Sequence, residues 1–129
     1  MDLPFHDRQF DLITATAVIE HVESIPRFLS ALHRVLKPGG LVAVTTPDLF
    51  WDSLAGRLLP HFDEVHVETL TLRRLECYFT EANFDFHYGT KFMLSPIGVP
   101  FEGTIERVLR RFGLTFTMLN QVALAAKPL

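Results

Sequence analysis

The chain has 129 residues, a formal net charge of −3, and a hydrophobic content of 48%. This length holds one domain or part of one, and the apolar content is enough for a buried core. The small charge argues against nucleic acid or a membrane surface as the partner, and no apolar run approaches the ~20 residues of a membrane span. The single cysteine excludes an internal disulfide, and the start of the chain does not read as a secretory leader, so we expect a cytoplasmic protein.

The first 47 residues predict a strand, a helix and a second strand. Residues 10–16 and 41–46 are short apolar runs without clean alternation, which is typical of parallel strands covered on both faces. Ser24 is the expected N-cap of the helix, and the Pro-Gly-Gly sequence at 38–40 ends it and turns the chain into the next strand. The apolar stripe of this helix comprises Ile25, Phe28, Leu29, Leu32, Val35 and Leu36.

The remainder of the chain predicts further elements with looser spacing. In chain order these are a helix-like run over 49–59, a helix over 72–82 capped by Thr71, a strand over 84–88, a loop over 90–100, a helix over 105–112 and a final, central strand over 114–125. Cys77 falls inside the second of these helices, where we expect a buried and unreactive thiol.

Polar side chains follow the two strands of the first unit. They are Thr14, Thr16, Glu20 and His21 after the first strand, and Thr45, Thr46 and Asp48 after the second. Open parallel sheets bind ligands beyond the carboxyl ends of their strands. These residues therefore either border a ligand or serve as local strand caps and solvated turns, and both interpretations remain open.

Four short motifs occur in a specific order and at a specific spacing. They are Leu3-Pro4-Phe5, Phe10-Asp11, Glu20-His21-Val22 and Arg34-Val35-Leu36-Lys37-Pro38-Gly39-Gly40. Together they resemble class I S-adenosylmethionine-dependent methyltransferases of the type 11 and ubiquinone-biosynthesis-like branch, strongly to Pro47 and loosely beyond it. The resemblance implies an α/β fold with a partial Rossmann-like methyltransferase sheet. Its strands correspond to the last four of the family, of which the final two form an antiparallel pair.

The resemblance also implies a cofactor and site residues. S-adenosylmethionine is the implied cofactor, and the implied reaction is methyl transfer to a small, fairly apolar acceptor. Leu3 stands where the family flanks the adenine, and Thr16 and Ala17 stand where it contacts the methionine portion. Of six histidines, His21 is best placed to act as general base for a hydroxyl acceptor, although it could also only hydrogen-bond locally.

The chain departs from this family in its glycines. None of the seven glycines forms the G-x-G-x-G loop with which a complete member approaches its cofactor. We therefore expect residues 1–129 to be the carboxyl-terminal part of a single methyltransferase domain whose upstream cofactor-binding half is absent, and thus incomplete for catalysis alone. The alternative is a non-catalytic remnant that folds by self-association or by pairing with another chain through the edge strand at 10–16. A dehydrogenase-like enzyme is disfavoured, because no dinucleotide fingerprint is present.

Two other clusters have less specific patterns. The first cluster comprises His61, Asp63, Glu64, His66 and Glu68. These side chains can bind metals, but their spacing matches no metal signature, so we expect a solvated loop and no metal. The second is a set of aromatic residues that either pack in the core or line an apolar substrate pocket; it comprises Phe50, Trp51, Phe62, Phe92 and Phe101.

Overall fold

The structure is a computed structural model that describes residues 3–47, 70–92, 100–115 and 118–129. Its elements are β1 (Phe10–Thr16), a short 3-10 helix (Ile19–His21), α1 (Ile25–Val35), β2 (Leu36–Pro47), α2 (Leu72–Glu81), β3 (Asp85–Phe92), α3 (Glu102–Arg111) and β4 (Asn120–Ala126). No helix within these described ranges is both long and apolar enough to cross a membrane.

The strands of the described part form one mixed sheet in the order β1-β2-β4-β3. β1 runs parallel to β2, and β4 lies antiparallel to both β2 and β3. This arrangement confirms the predicted α/β class, the parallel first pair and the antiparallel final pair. Because β1, β2 and β3 share one direction, their carboxyl ends meet at the same edge of the sheet.

Helix α1 begins as the sequence predicts and ends one residue early. The Ser24 side chain accepts a hydrogen bond from the Arg27 backbone N–H at 3.4 Å, as an N-cap does. Leu36, the last member of the predicted stripe, is extended and begins β2 instead. Leu36 is nevertheless fully buried. The hydrophobic pattern therefore predicted correctly that Leu36 belongs to the core, but wrongly that it belongs to the helix.

The Pro-Gly-Gly segment forms a bulge within the β1–β2 ladder, where the sequence predicted a turn before the strand. Pairing passes from Phe10 with Leu36 to Leu12 with Leu41, so residues 37–40 bulge out of the ladder. Gly39 has φ +72°, which favours glycine. A Cβ on Gly40 would lie 2.8 Å from Cγ of Leu36 and 2.9 Å from the Lys37 carbonyl oxygen, so no larger residue fits without a shift.

Helices α1 and α2 cover one face of the sheet, where the core lies. Its members are buried and apolar, and include Phe28, Leu29, Leu32, Val42, Val44, Leu75, Phe79, Ala123 and Ala125. On the opposite face of the described sheet, Leu12 is 57% exposed and Leu41 is 39% exposed. The sequence predicted strands covered on both faces; the described residues cover only one.

Further boundaries and one burial differ from those predicted, and α3 begins at Glu102, three residues before the predicted start at residue 105. β3 extends to Phe92 and so takes in the first residues of the predicted loop, and β4 begins at Asn120, six residues after the predicted start at residue 114. Cys77 is exposed rather than buried, because α2 turns Leu75 and Phe79 toward the core and presents the intervening residue to solvent. The helix-like run at 49–59, the polar cluster at 61–68, Phe50, Trp51 and Phe62 lie outside the described residues.

Candidate ligand site at the carboxyl edge of the sheet

The chain makes a constrained turn directly after β1. Ala17 has φ 51°, in the left-handed region that residues with a side chain rarely adopt. Its backbone N–H donates to the Thr45 carbonyl at 3.0 Å, which ties the turn to the end of β2. The 3-10 helix follows, and the backbone N–H of His21 donates to the Val18 carbonyl at 3.0 Å. The turn thus places His21 at the edge where β1 and β2 end.

A cavity of about 620 Å³ opens beside this turn. It is lined by Ala17, Val18, His21, Val22, Glu23, Ser24 and Arg27. The volume falls within the roughly 300–1,000 Å³ range of small-molecule clefts. The lining combines apolar surface with an imidazole, a carboxylate and a guanidinium, so it could bind a ligand that has both apolar and charged parts.

A second groove of about 410 Å³ runs along β1 and contains the other two predicted site residues, Leu3 and Thr16. Val18 borders both the groove and the cavity. The structure therefore brings Ala17 and His21 together in the cavity, and places Leu3 and Thr16 along the adjoining groove.

Arg34 on α1 holds the segment that carries Leu3. Its guanidinium donates to the carbonyl oxygens of Leu3 at 2.8 Å and Phe5 at 2.9 Å, and to the Asp7 carboxylate at 2.7 Å. Arginine suits this task because its planar fork supplies several donors in fixed geometry. Arg34 belongs to the motif that the sequence analysis recognised, but its contacts could not be read from that motif.

Three buried polar side chains lie near the same edge: Glu20, Thr46 and Gln121 are 4%, 2% and 0% exposed. The Gln121 amide Nε2 donates to the Leu70 carbonyl at 2.5 Å and the Pro47 carbonyl at 3.3 Å. Oε2 of Glu20 and Oε1 of Gln121 accept no hydrogen bond from the described residues. Since buried polar atoms are normally paired, we expect these two oxygens to accept from an ordered water, a ligand or the rest of the chain.

Sequence analysis pointed to Glu20 and Thr46 but missed Gln121. The only signal for Gln121 in the sequence is that it is one of two adjacent amides, with Asn120, at the start of the otherwise small and apolar β4. The two aromatic residues of the predicted apolar pocket that the structure describes, Phe92 and Phe101, line neither the cavity nor the groove.

The parallel strands and the cavity at their carboxyl ends have the arrangement of open α/β sheets, a class of protein in which ligands bind beyond those strand ends. Residues 1–88 match the profile of a methyltransferase family, described as a methyltransferase domain. The chain belongs to this family.

Individual relatives agree with this assignment. A demethylmenaquinone methyltransferase from Symbiobacterium thermophilum is 58% identical over 40 residues, which are 31% of this chain and 16% of the relative. A ubiquinone biosynthesis O-methyltransferase from Bradyrhizobium sp. is 45% identical over 47 residues, 36% of this chain and 19% of the relative. The matched segments thus span less than a fifth of either relative.

Solved structures show the same fold. A SAM-dependent methyltransferase from Methanosarcina mazei superposes with a TM-score of 0.66 at 20% identity, covering 99% of this chain and 64% of the other. At this identity the likeness establishes the fold, which is that of the methyltransferase sheet.

Proposed function

We propose that residues 1–129 are the carboxyl-terminal part of an S-adenosylmethionine-dependent methyltransferase domain that methylates a small, fairly apolar acceptor. The observation that carries the proposal is the cavity beside Ala17 and His21, which lies at the carboxyl edge of a methyltransferase-family sheet. Relatives whose names refer to demethylmenaquinone and ubiquinone support a quinone-like acceptor.

The residues of the two cavities fit parts of this cofactor. Leu3 and the apolar groove along β1 suit a flat aromatic base, while Thr16 and the turn at Ala17 suit the polar methionine portion. The Glu20 side chain is buried and lines neither the cavity nor the groove, so we assign it no contact with the cofactor, although its Oε2 lacks a donor within the described part of the chain. When bound, the cofactor supplies a methyl group on a positively charged sulfur.

The imidazole of His21 is the proposed general base. It is exposed on the cavity wall, and a neutral imidazole can accept the proton of an acceptor hydroxyl near neutral pH. Proton removal makes the acceptor oxygen a stronger nucleophile, and the cavity walls align that oxygen with the methyl carbon while limiting water. Thr16 and Ala17 contribute to position and not to proton transfer.

A second candidate function rests on the outer edge of β1. Within the described residues this edge has no strand partner, and Leu12 beside it is 57% exposed. A chain that buries such an edge only by pairing with another chain could be a non-catalytic remnant. Methyl-transfer activity of a complete protein that contains residues 1–129 distinguishes the two functions, since we expect the isolated segment to be inactive under either.

Substitution of His21 by Ala tests the catalytic proposal. In an active preparation that contains residues 1–129, we expect methyl transfer from labelled S-adenosylmethionine to a quinol to slow about a hundredfold, with cofactor affinity nearly unchanged. The control is His6→Ala, which removes an exposed imidazole outside the cavity. Equal turnover of His21→Ala and the parent would remove His21 from the mechanism, whereas loss of cofactor binding would make it a binding residue.

A further inference from the structure

Helix α3 presents its apolar side to solvent. Phe101, which precedes the helix, and Ile105, Val108 and Phe112 follow one another at helical spacing, so they form a continuous stripe. Their exposed fractions are 82%, 43%, 50% and 72%. No residue of α3 is buried. Four large apolar side chains on one exposed helix face usually mark an interaction surface.

The polar side of α3 faces the sheet and fixes the orientation of the helix. The Arg110 guanidinium donates to Oγ1 of Thr90 at 2.6 Å and to the backbone carbonyl of Lys91, both on β3. The Glu106 carboxylate lies 3.8 Å from the same guanidinium, and its side chain is only 18% exposed. Arg110 and Glu106 thus lie on the side of α3 that meets β3, and the apolar stripe lies on the other side of the helix.

The charges beside the stripe have one sign on its outer flank. With about 100° between successive residues, Arg111 and then Arg107 lie beyond Val108 around the helix, on one side of the stripe. Both arginines are exposed. The two carboxylates of the helix, Glu102 and Glu106, lie on the opposite flank and are partly buried. The exposed surface of α3 is therefore aromatic and aliphatic with a basic border, which complements an anionic apolar interface.

We propose that α3 binds the surface of an anionic phospholipid bilayer and lies flat in its interface. A short amphipathic helix with phenylalanines on one face and arginines beside them has the chemistry of such elements. The sequence-based expectation against a membrane surface rested on the net charge of −3, which does not reveal the local arrangement on α3. The proposal concerns surface binding and does not depend on which acceptor is methylated.

The position of α3 relates this surface to the candidate site. Arg110 anchors the helix near the carboxyl end of β3, and β3 shares its direction with β1 and β2. The helix is thus attached at the same edge of the sheet as the cavity that contains His21. Binding of α3 to lipid would bring that edge close to molecules dissolved in the bilayer.

Vesicle co-sedimentation of the full chain tests the proposal. We expect binding to vesicles of phosphatidylcholine with 30–40% phosphatidylglycerol (roughly the anionic fraction needed for electrostatic attraction) and at least ~10-fold weaker binding to pure phosphatidylcholine. The double variants Ile105→Ser/Phe112→Ser and Arg107→Gln/Arg111→Gln should each weaken binding about tenfold or more. The matched control Arg8→Gln/Arg73→Gln makes the same change in net charge at exposed positions off α3 and should bind within about twofold of the parent.

Thermal unfolding and light scattering accompany the binding assay. All substituted side chains are exposed, so each variant should unfold near the parent midpoint, and binding is compared only between folded proteins. Equal binding of the parent to neutral and anionic vesicles, or equal weakening by the control variant, would overturn the proposal. So would lipid-independent association of the parent that Ile105→Ser/Phe112→Ser abolishes, because the stripe would then be a contact between copies of the chain.

Discussion

His33 lies where α1, α2 and the end of β4 meet. Its ring packs edge-on against Phe84 with centroids 5.0 Å apart, and its carbonyl oxygen accepts a hydrogen bond from Nζ of Lys127 at 2.7 Å. The pKa of His33 is lowered below its ordinary 6.5, first by burial and then by the nearby Lys127 ammonium. A hydrogen bond to the Asn83 backbone acts in the opposite direction and raises the pKa. The pKa of Lys127 is lowered as well, first by burial and then by repulsion from Arg8.

The lowered pKa of His33 predicts a loss of stability in mild acid. Below pH 6.5 the unfolded chain takes up a proton that the folded chain resists, so the free energy of unfolding falls as the pH decreases. In His33→Gln this contribution is absent, and we expect a shallower decline between pH 7 and pH 5 in urea unfolding curves. His6→Gln, which removes an exposed imidazole, should retain the parent slope. Parallel profiles for His33→Gln and the parent would contradict the prediction.

The sequence motifs proposed site residues, two of which the structure places beside one cavity, but the motifs described the surroundings of those residues poorly. Ala17 and His21 line one cavity, since a strand end followed by a short helix allows few paths for the chain. Cys77 was predicted wrongly because its helix was identified without knowing which side faces the sheet. Gln121 was missed because its burial depends on the carbonyls of Leu70 and Pro47, which are distant in sequence.

At the scale of elements, the bulge at 37–40 allows β2 to begin directly after α1, without a connecting loop. The Lys37 ammonium contacts both oxygens of Asp11 on β1 at 2.8 and 2.9 Å, so the bulge is also held from its partner strand. The chain can begin pairing at Leu36, directly after the helix, only because the extra residues are accommodated by glycines.

Gly40→Ala should therefore destabilise the fold by about 2 kcal/mol or more, because the new methyl meets Leu36 and backbone oxygens. The matched substitution Gly103→Ala adds the same methyl to α3, where nothing lies within 4 Å. It should leave stability unchanged or raise it by up to about 1 kcal/mol, since Ala favours helix. Chemical denaturation of both variants measures the difference, and equal stabilities would show that the bulge adapts freely.

The sequence predicted element boundaries correctly where local interactions determine them. It predicted them wrongly where pairing between strands determines them. Ser24 and Thr71 correctly marked the starts of α1 and α2, because capping is a local interaction. The start of β4 was placed too early, since the apolar run from residue 114 resembles a strand. In the structure the ladder begins at Asn120, opposite Pro47 on β2 and Phe92 on β3, which are the last described residues of those two strands.

At the scale of the whole molecule, β1 forms one border of the described sheet. Its outer backbone groups and the exposed Leu12 offer a surface on which another strand can pair. The antiparallel pairing of the final two strands followed from the family resemblance, whereas the extent of open surface depends on which residues cover the sheet and could not be read from strand patterns.

We expect residues 1–129, prepared alone, to self-associate through β1. Light scattering should show a mass that rises with protein concentration, and Leu12→Lys should shift the protein toward monomer by placing a charge on the edge strand. Phe112→Ser on α3, which removes another exposed apolar side chain away from β1, serves as the control and should not alter the mass. A parent that stays monomeric across the concentration range would contradict the expectation.

The position of β4 has a consequence for the order in which the chain can fold. β4 lies between β2 and β3, so these two strands are connected by hydrogen bonds only through residues 120–126. Because β2 and β3 both precede residues 120–126 in the chain, neither can form its ladder with β4 until that segment has been synthesised. Contacts of such long sequence separation slow folding and expose nascent chains to aggregation. The sheet is therefore completed from its centre, by the strand that is synthesised last among those described.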